Sequence, residues 1–345
     1  MSEKVFQGEI LNNGEKLHLD LIDKKLLVLL SKNARYSNTS LAKALNVSRE
    51  VVSYRIKRLT ELDFLHGFFT LIDVSKLGYL QHVLYLKLSG VRSYSSFESD
   101  LLSIPQISRI KLVAGSYDLQ LVITSGSLKQ FDETFNLVLS LLDTHLKDFV
   151  VLQVLEEGFP GMNVLLHKTA RSSLKVKEVK GSSFQKEFKQ QKKSSSEIIS
   201  LDDMDRNLLT LLHHDARLPI RSLAKEVSLS PIAVENRLKN LISKGVIESM
   251  YPLFAISRLG FQWYKVLFRV KNSEENKFLG FLLNHDNVLW YMKLIGKWNY
   301  QCSVFAKSNA DFYEILDDIR TKFSDDLLSY ESIMVLEQKK FEQKF

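Results

Sequence analysis

The chain is poor in cysteine. Cys302 is the only one in 345 residues, so no internal disulfide can form and nothing suggests an oxidising compartment. No apolar run approaches the ~18 residues of a membrane span. The first residues, MSEKVFQGEI, lack the basic-then-apolar order of a secretory signal. HExxH, GxxxxGK[ST] and GxGxxG are all missing. The pair His213-His214 has no cysteine or third ligand at metal spacing and reads as a solvated helix end. Ser194–Ser196 belong to a polar stretch and not to a nucleophile arrangement. These absences leave a soluble, cytoplasmic non-enzyme as the expectation, with no cofactor, no metal and no membrane partner.

What is present is a duplication. LDLIDKKLLVLLSKNARYSNTSLAKALNVSREVVSYRIKRL begins at Leu19, and LDDMDRNLLTLLHHDARLPIRSLAKEVSLSPIAVENRLKNL begins at Leu201. One offset aligns Asp20 with Asp202, Asp23 with Asp205, Ala34-Arg35 with Ala216-Arg217, Ser48 with Ser230 and Arg55 with Arg237. It runs without a gap to Leu77-Gly78 and Leu259-Gly260. Later, Gly115 faces Gly296 and Val154-Leu155-Glu156 faces Val335-Leu336-Glu337, at an offset one residue shorter. The repeat is a whole two-domain unit, and the apolar fraction of 45% is enough to bury its cores. Between the copies, residues 168–193 hold nine basic and two acidic side chains and read as a flexible linker. That excess equals the net +7 of the entire chain, so the folded remainder is close to neutral.

Each copy opens on a predicted three-helix head. Asp20 is an N-cap candidate with Asp23 in the first turn. TSLAKAL gives a second helix, and Ser48 caps a third over REVVSYRIKRLTEL. Two helices joined by a tight turn form a helix-turn-helix, with Asn46 and Ser228 where glycine is common. FLHGFFTLID and GVIESMYPLF are expected to fold back as hairpin wings. A third helix laid in the major groove meets base edges at its N-terminal end and phosphate along its basic positions. In the first copy that places Ser48, Arg49, Glu50, Ser53 and Tyr54 at the bases, with Arg55, Lys57 and Arg58 at phosphate. In the second it places Ser230, Pro231, Ile232, Glu235 and Asn236 on the same face, with Arg237 and Lys239 behind. Residues 19–70 carry nine basic and five acidic side chains, whereas 201–252 carry seven of each. The first head should bind DNA more strongly and with steeper salt dependence.

After each head the order is β-α-β-β-α-β, a ferredoxin-like unit whose open edges invite a partner. The second copy can supply that partner within one chain. The fold class expected is α+β, in six consecutive parts: a tail at 1–18, a winged helix-turn-helix at 19–75, a ferredoxin-like domain at 76–160, the basic linker at 161–200, a second winged helix-turn-helix at 201–257 and a second ferredoxin-like domain at 258–345.

The two heads, the LIDVSKLGY that follows the first, and the β-α-β-β-α-β units with GSYD at Gly115–Asp118 and GKWN at Gly296–Asn299 resemble the Lrp/AsnC regulator family. The likeness covers nearly the whole chain except the tail and the linker. It is carried by the ordered combination and not by one motif. It implies a double-stranded DNA partner, an amino-acid or other small effector, and a homo-oligomer built from pseudo-dimeric chains. The effector site it implies lies at Gly115, Tyr117, Asp118, Gly296, Trp298 and Asn299, although each turn is equally a plain strand connection. Departures are visible. The family pattern LSPxxVxxRxK is kept at Leu229–Lys239, but Val47–Lys57 has Arg49 in place of the proline. Asn299 stands where the first copy has Asp118, and Asp63 where the second has Gly245.

Two other readings remain. Decarboxylases that act on sirohaem share this fold, but they resemble RRIGA at the wing and YNLWF near the sensor turn. Here those stretches are HGFFT with GSYDLQL, and ESMYP with GKWNYQC. Alternatively, the neutral second head serves assembly only.

Overall fold

The structure is a computed structural model that describes residues 8–9, 16–89, 96–166, 197–343 and 345. The basic stretch 168–193, Ser194–Ser196 and most of the tail lie outside the described residues. The chain forms two compact units that interleave along the sequence. One gathers both heads, 16–78 with 161–256. The other gathers both ferredoxin-like halves, 79–160 with 257–345 and the short strand at 8–9.

In the first head, α1 (Leu21–Lys32) is closed by a capping box: Asp20 accepts the Asp23 N–H at 2.8 Å, and Asp23 accepts the Asp20 N–H at 3.4 Å. Ser37 caps α2 (Asn38–Leu45), and Ser48 caps α3 (Arg49–Glu61) by accepting the Val51 N–H at 3.3 Å. Leu26, Leu29, Leu30, Leu41, Ala42 and Val52 form the core at helical spacing. The turn between α2 and α3 passes through Asn46 at φ 55°, and the second copy puts Ser228 at φ 53°. The sharp reversal thus forms without glycine. The second head repeats the plan with α6 (Asp203–His214), α7 (Ile220–Glu226) and α8 (Pro231–Ser243), numbered after the two helices of the first ferredoxin-like half. Ser230 caps α8 and Pro231 sits at its first turn, where no backbone donor is needed.

The expected hairpin wings do not form within either copy. Each stretch is one continuous strand, β2 (Leu65–Ile72) and β7 (Ile247–Phe254), and the two pair antiparallel with Phe69 opposite Tyr251. Neither stretch holds the two-residue turn that a hairpin needs, and pairing with the twin meets the same hydrogen bonds. The heads lock reciprocally around this ribbon. The Ala34 N–H donates to Met250 O at 2.8 Å, and the Ala216 N–H to Phe68 O at 2.9 Å. Arg35 donates to Ala216 O at 2.7 Å, and Arg217 to Asn38 Oδ1 at 2.9 Å. His213, expected to be solvated, packs its ring on Phe69 with centroids 4.4 Å apart. The expected linker also starts inside the fold, since the Met162 N–H donates to Ser31 Oγ of α1 at 3.1 Å.

The second unit is built from β3 (Leu80–Leu88), α4 (Glu98–Ser103), β4 (Ile107–Ala114), β5 (Leu119–Ser125), α5 (Leu128–Leu142) and β6 (Leu146–Gly158), repeated as β8 (Gln262–Val270), α9 (Glu275–Asn284), β9 (Val288–Ile295), β10 (Tyr300–Ala306), α10 (Asn309–Lys322) and β11 (Leu327–Phe341). Within each half the strands lie in ferredoxin-like order. Between halves, β6 passes from β3 to β9, and β11 passes from β8 to β4. The eight strands therefore close into a ring, and the edges expected to seek a partner are consumed inside the chain. The two residues of β1 (Gly8–Glu9) add to β11. Alternate side chains face the helices or the inside of the ring. Leu84, Leu86, Leu121 and Ile123 pack under α4 and α5, while Val83, Tyr85, Leu152, Leu267, Leu294 and Val335 face inward.

Candidate functional site

The exposed face of α3 carries Ser48, Arg49, Glu50, Ser53, Tyr54 and Lys57, the positions at which the sequence leads one to expect DNA. Ser53 Oγ accepts from Asn38 Nδ2 at 2.9 Å and donates to Arg49 O at 3.1 Å, which ties α2 to α3 at this face. Glu50 is fully exposed; its own N–H and the Ser48 hydroxyl hold its carboxyl below the usual range. The carboxylate is therefore engaged at the helix N-terminus, where the dipole favours it. On α8 the matching face shows Ser230, Pro231, Ile232 and Asn236 exposed. Lys239 is paired with Glu235 at 3.1 Å, one turn away on the same helix.

Arg55 and Arg237 are placed differently from the phosphate contacts expected of them. Arg55 donates to Asp20 and to the buried Asp23, both at 2.7 Å. Arg58 reaches Asp23 at 3.3 Å. Arg237 donates to Asp202 at 2.7 Å and Asp205 at 2.8 Å. Burial pushes the other way, yet the Asp23 N–H and the Arg55 guanidinium hold the Asp20 carboxyl below its usual range. These arginines clamp the third helix to the N-terminus of the first. That clamp explains why Asp20, Asp23 and Arg55 recur as Asp202, Asp205 and Arg237: the duplication preserved a scaffold contact. Lys57 stays outward, with only an exposed pair to Glu61 at 3.5 Å.

The sensor turns are also committed internally. Asp118 accepts the Leu88 N–H at 2.8 Å and meets Lys87 Nζ at 3.2 Å. Asn299 accepts the Val270 N–H at 2.9 Å and donates to Val270 O at 2.8 Å. Asparagine thus performs the strand-tethering that aspartate performs in the other half. Tyr117 and Trp298 are buried inside the ring, Tyr117 against Tyr85 at 5.3 Å between centroids. Gly115, at φ +132°, would set an added Cβ 3.5 Å from Ser332 O; Gly296, at φ +139°, would set one 2.6 Å from Leu152 Cδ2. Both glycines let a turn close on the long strand of the other half. Gly296→Ala is expected to lose about 1–3 kcal/mol from clash and backbone strain, and Gly115→Ala only about 1. Urea unfolding of the two variants checks the ranking.

Inside the ring lies a charged cluster that the sequence reading missed. Arg109 makes a bidentate pair with Glu157 at 2.6 and 2.7 Å, and its guanidinium lies over Trp290 and Phe341. Lys111 and Lys265 are buried beside it, their ammonium groups 5.4 and 5.7 Å from the ring centre of Trp263. Burial, and then Arg109, push the Lys265 ammonium down to about 7; burial and Lys265 push Lys111 well below the ordinary lysine range. Next to them, Gln120 donates to Tyr85 Oη at 2.9 Å and to its own duplicate Gln301 at 3.1 Å. The alternation in ISRIKLVA was the available signal. On an open sheet it marks a solvated face; only ring closure buries it.

Known proteins place these features. Residues 19–60 match the AsnC-type helix-turn-helix domain, and residues 201–248 match a winged helix-turn-helix DNA-binding domain. The DNA-binding transcriptional activator DecR of Escherichia coli K12 is 31% identical over 120 residues, which span 34% of this chain and 79% of that one. The proline dehydrogenase transcriptional activator of Rhizobium radiobacter is 27% identical over 152 residues, or 42% of this chain and 97% of its own. Such shares are those of a single-copy relative laid on a duplicated chain. Over the full length, the crystal structure of the siroheme decarboxylase NirDL superposes with a TM-score of 0.61, covering 93% of both chains at 12% identity. That likeness shows the shared fold. Among the described residues no helix is long and apolar enough to cross a membrane, and no group of three His, Cys, Asp or Glu is placed to hold a metal ion.

Proposed function

The chain belongs to the Lrp/AsnC family of DNA-binding transcription regulators, and from that premise we propose that its two heads engage double-stranded DNA unequally. The first head lays α3 in the major groove, with Arg49, Ser53 and Tyr54 at base edges and Lys57 at phosphate. The second keeps Ser230 and Asn236 within reach, with Lys239 behind, and contributes weaker contacts. The observation that carries this reading is the exposed face of the third helix: two outward cations, Arg49 and Lys57, and a tyrosine on α3, against Pro231, Ile232 and Asn236 on α8.

Arg55 and Arg237 each brace the third helix of their own head and are unsuited to testing it. The informative comparison is Arg49→Ala with Lys57→Ala against Asn236→Ala with Lys239→Ala, read by fluorescence anisotropy over a salt series. The first pair should weaken binding roughly 10–100-fold and flatten the salt slope by about 1–2. The second should weaken it by less than about 5-fold. Equal losses would overturn the asymmetry. Selection from random duplexes gives an independent reading, since a single half-site is expected to dominate.

Two further parts belong to the same proposal. The response to a small effector is assigned to the inside of the strand ring, because both turns are occupied in tethering strands. Association of pseudo-dimers must use surfaces other than the ring edges. The exposed Leu128 and Leu137 of α5 and Tyr313 of α10 are helix-borne apolar positions available for this, and light scattering of the purified chain counts the copies.

A further inference from the structure

The buried charges of the ring do not balance. Among the described residues that are buried, Arg109, Lys111 and Lys265 face inward with one carboxylate, Glu157. Lys340, the other buried cation of this unit, points away to the Leu102 and Ile104 carbonyls. Glu157 is used up by Arg109 and by Trp290 Nε1, which donates at 3.1 Å. Neither Lys111 nor Lys265 has a hydrogen-bond or ion-pair partner among the described residues, and the Trp263 ring is what both ammonium groups approach.

Two more donors beside them are unmet. Trp263 Nε1 and Ser303 Oγ are buried without partners. Ser303 lies directly opposite Lys265 across the β8–β10 ladder, and Trp263 is two residues from Lys265 on the same face of β8. The set is therefore four donors and two positive charges converging from β4, β8 and β10. Water can meet the donors but leaves the charge uncompensated in a low-dielectric space, which costs several kcal/mol per ion.

The duplication isolates the feature. By the offsets of the repeat, Lys111 corresponds to Met292, Lys265 to Val83, Trp263 to Gln81 and Ser303 to Val122. Gln120 and Gln301, by contrast, are duplicates of each other and meet in the middle. A ring that is otherwise pseudo-symmetric has thus acquired two lysines at one end where the other keeps Met292 and Val83, and an unmet Trp263 and Ser303 where the other has Val122 and a Gln81 that is bonded to Thr124. Simple core packing favours no such one-sided change.

We propose that this end of the ring is a binding site for one small organic dianion per chain, of carboxylate or phosphate chemistry, held by Lys111, Lys265, Trp263 Nε1 and Ser303 Oγ. A charge of minus two cancels the excess, and the donors supply the oxygens' hydrogen bonds. The packed inner residues Val113, Leu267 and Val335 favour a compact ligand over an extended one. The site is independent of the DNA-binding faces, so the test uses no DNA.

The full-length chain is titrated calorimetrically with succinate and, separately, with inorganic phosphate, in dilute buffer near neutral pH. At least one probe should saturate at one per chain. Succinate alone identifies a dicarboxylate, phosphate alone a phosphate ester, and both together a general dianion site. Lys111→Met and Lys265→Met should each weaken binding by at least about ten-fold, while Lys87→Met, on β3 beside the Gly115–Asp118 turn, should leave it unchanged. Thermal melts without probe establish that the variants are folded. Failure of both probes to saturate overturns the proposal. So does binding that survives in both lysine variants, or that Lys87→Met abolishes.

Discussion

Glu157→Gln is expected to destabilise the strand ring by about 3–5 kcal/mol, the cost of leaving a buried charge without its partner. Among the described residues Glu157 is the one buried carboxylate facing the ring interior, and Arg109, 2% exposed, is bound to both of its oxygens. Glutamine keeps the shape and one acceptor but removes the charge. Arg109, Lys111 and Lys265 would then share a dry space with nothing opposing them. In a unit of this size the loss corresponds to a fall in melting temperature of roughly 10 °C. The double variant Arg109→Met with Glu157→Met should recover most of it, because an ion pair of this kind stabilises little over apolar residues of similar volume. Differential scanning calorimetry separates the cases. A loss below about 1 kcal/mol would mean that the Arg109–Glu157 pair is solvated, against its burial.

Much of the architecture is visible in the sequence because the chain states it twice. Asp20 and Asp202, Ser48 and Ser230, and the turns at Asn46 and Ser228 have local meanings: a cap, a cap, a reversal. Local meanings can be read from short windows. The same repetition hides the purpose of other positions. Ala34-Arg35 and Ala216-Arg217 match perfectly, yet their bonds do not cap or brace their own helices. They bond across to the opposite copy, and no window of one copy contains the partner. Arg55 misleads for a related reason. A basic residue on the third helix suggests phosphate until the fold brings it to Asp20 and Asp23, more than thirty residues upstream.

The wings and the ring share one lesson. Alternation identifies a strand but is silent about what lies beside it. Leu65–Ile72 is compatible with a hairpin and with a ribbon to the twin. Arg109 and Lys111 are compatible with an open, wet face and with a closed interior. In both cases the second copy decides, because it supplies β7 to the first head and β9 and β11 to the first half-sheet. The turn residues Asp118 and Asn299 follow the same pattern. Aspartate in a central turn suggests a ligand contact, but the Leu88 amide takes it, and asparagine does the same work at Val270.

Lys265→Met should stabilise the protein, and the gain should depend on pH in a defined direction. The groups facing Lys265 are Arg109 and Lys111 from β4, Glu157 from β6, and Trp263 and Ser303 from its own and the neighbouring strand. Cys302 lies on the next position of β10, its thiol pushed up to about 12 by burial, so it stays neutral over the useful range. Lys265 is pushed down to about 7 in the fold from an ordinary value of 10.5. Below the folded value the side chain is charged in both states, and the fold bears the full cost, about 4–5 kcal/mol by linkage. Between the folded and unfolded values the unfolded chain holds a proton that the folded chain does not. The stability of the unmodified protein therefore rises with pH there, by up to about 1.4 kcal/mol per pH unit from this group. Above the unfolded value neither state is charged, and only packing distinguishes lysine from methionine. Lys111 contributes a slope of the same sign, but it is present in both proteins and largely cancels in the difference. Urea unfolding in chloride buffers at about pH 6, 8 and 10 should show the methionine variant several kcal/mol more stable at the acid end, with the margin shrinking towards the alkaline end. A variant less stable than its parent at low pH, or a margin that does not move with pH, would show that the Lys265 ammonium is not held against its solvation in the ring.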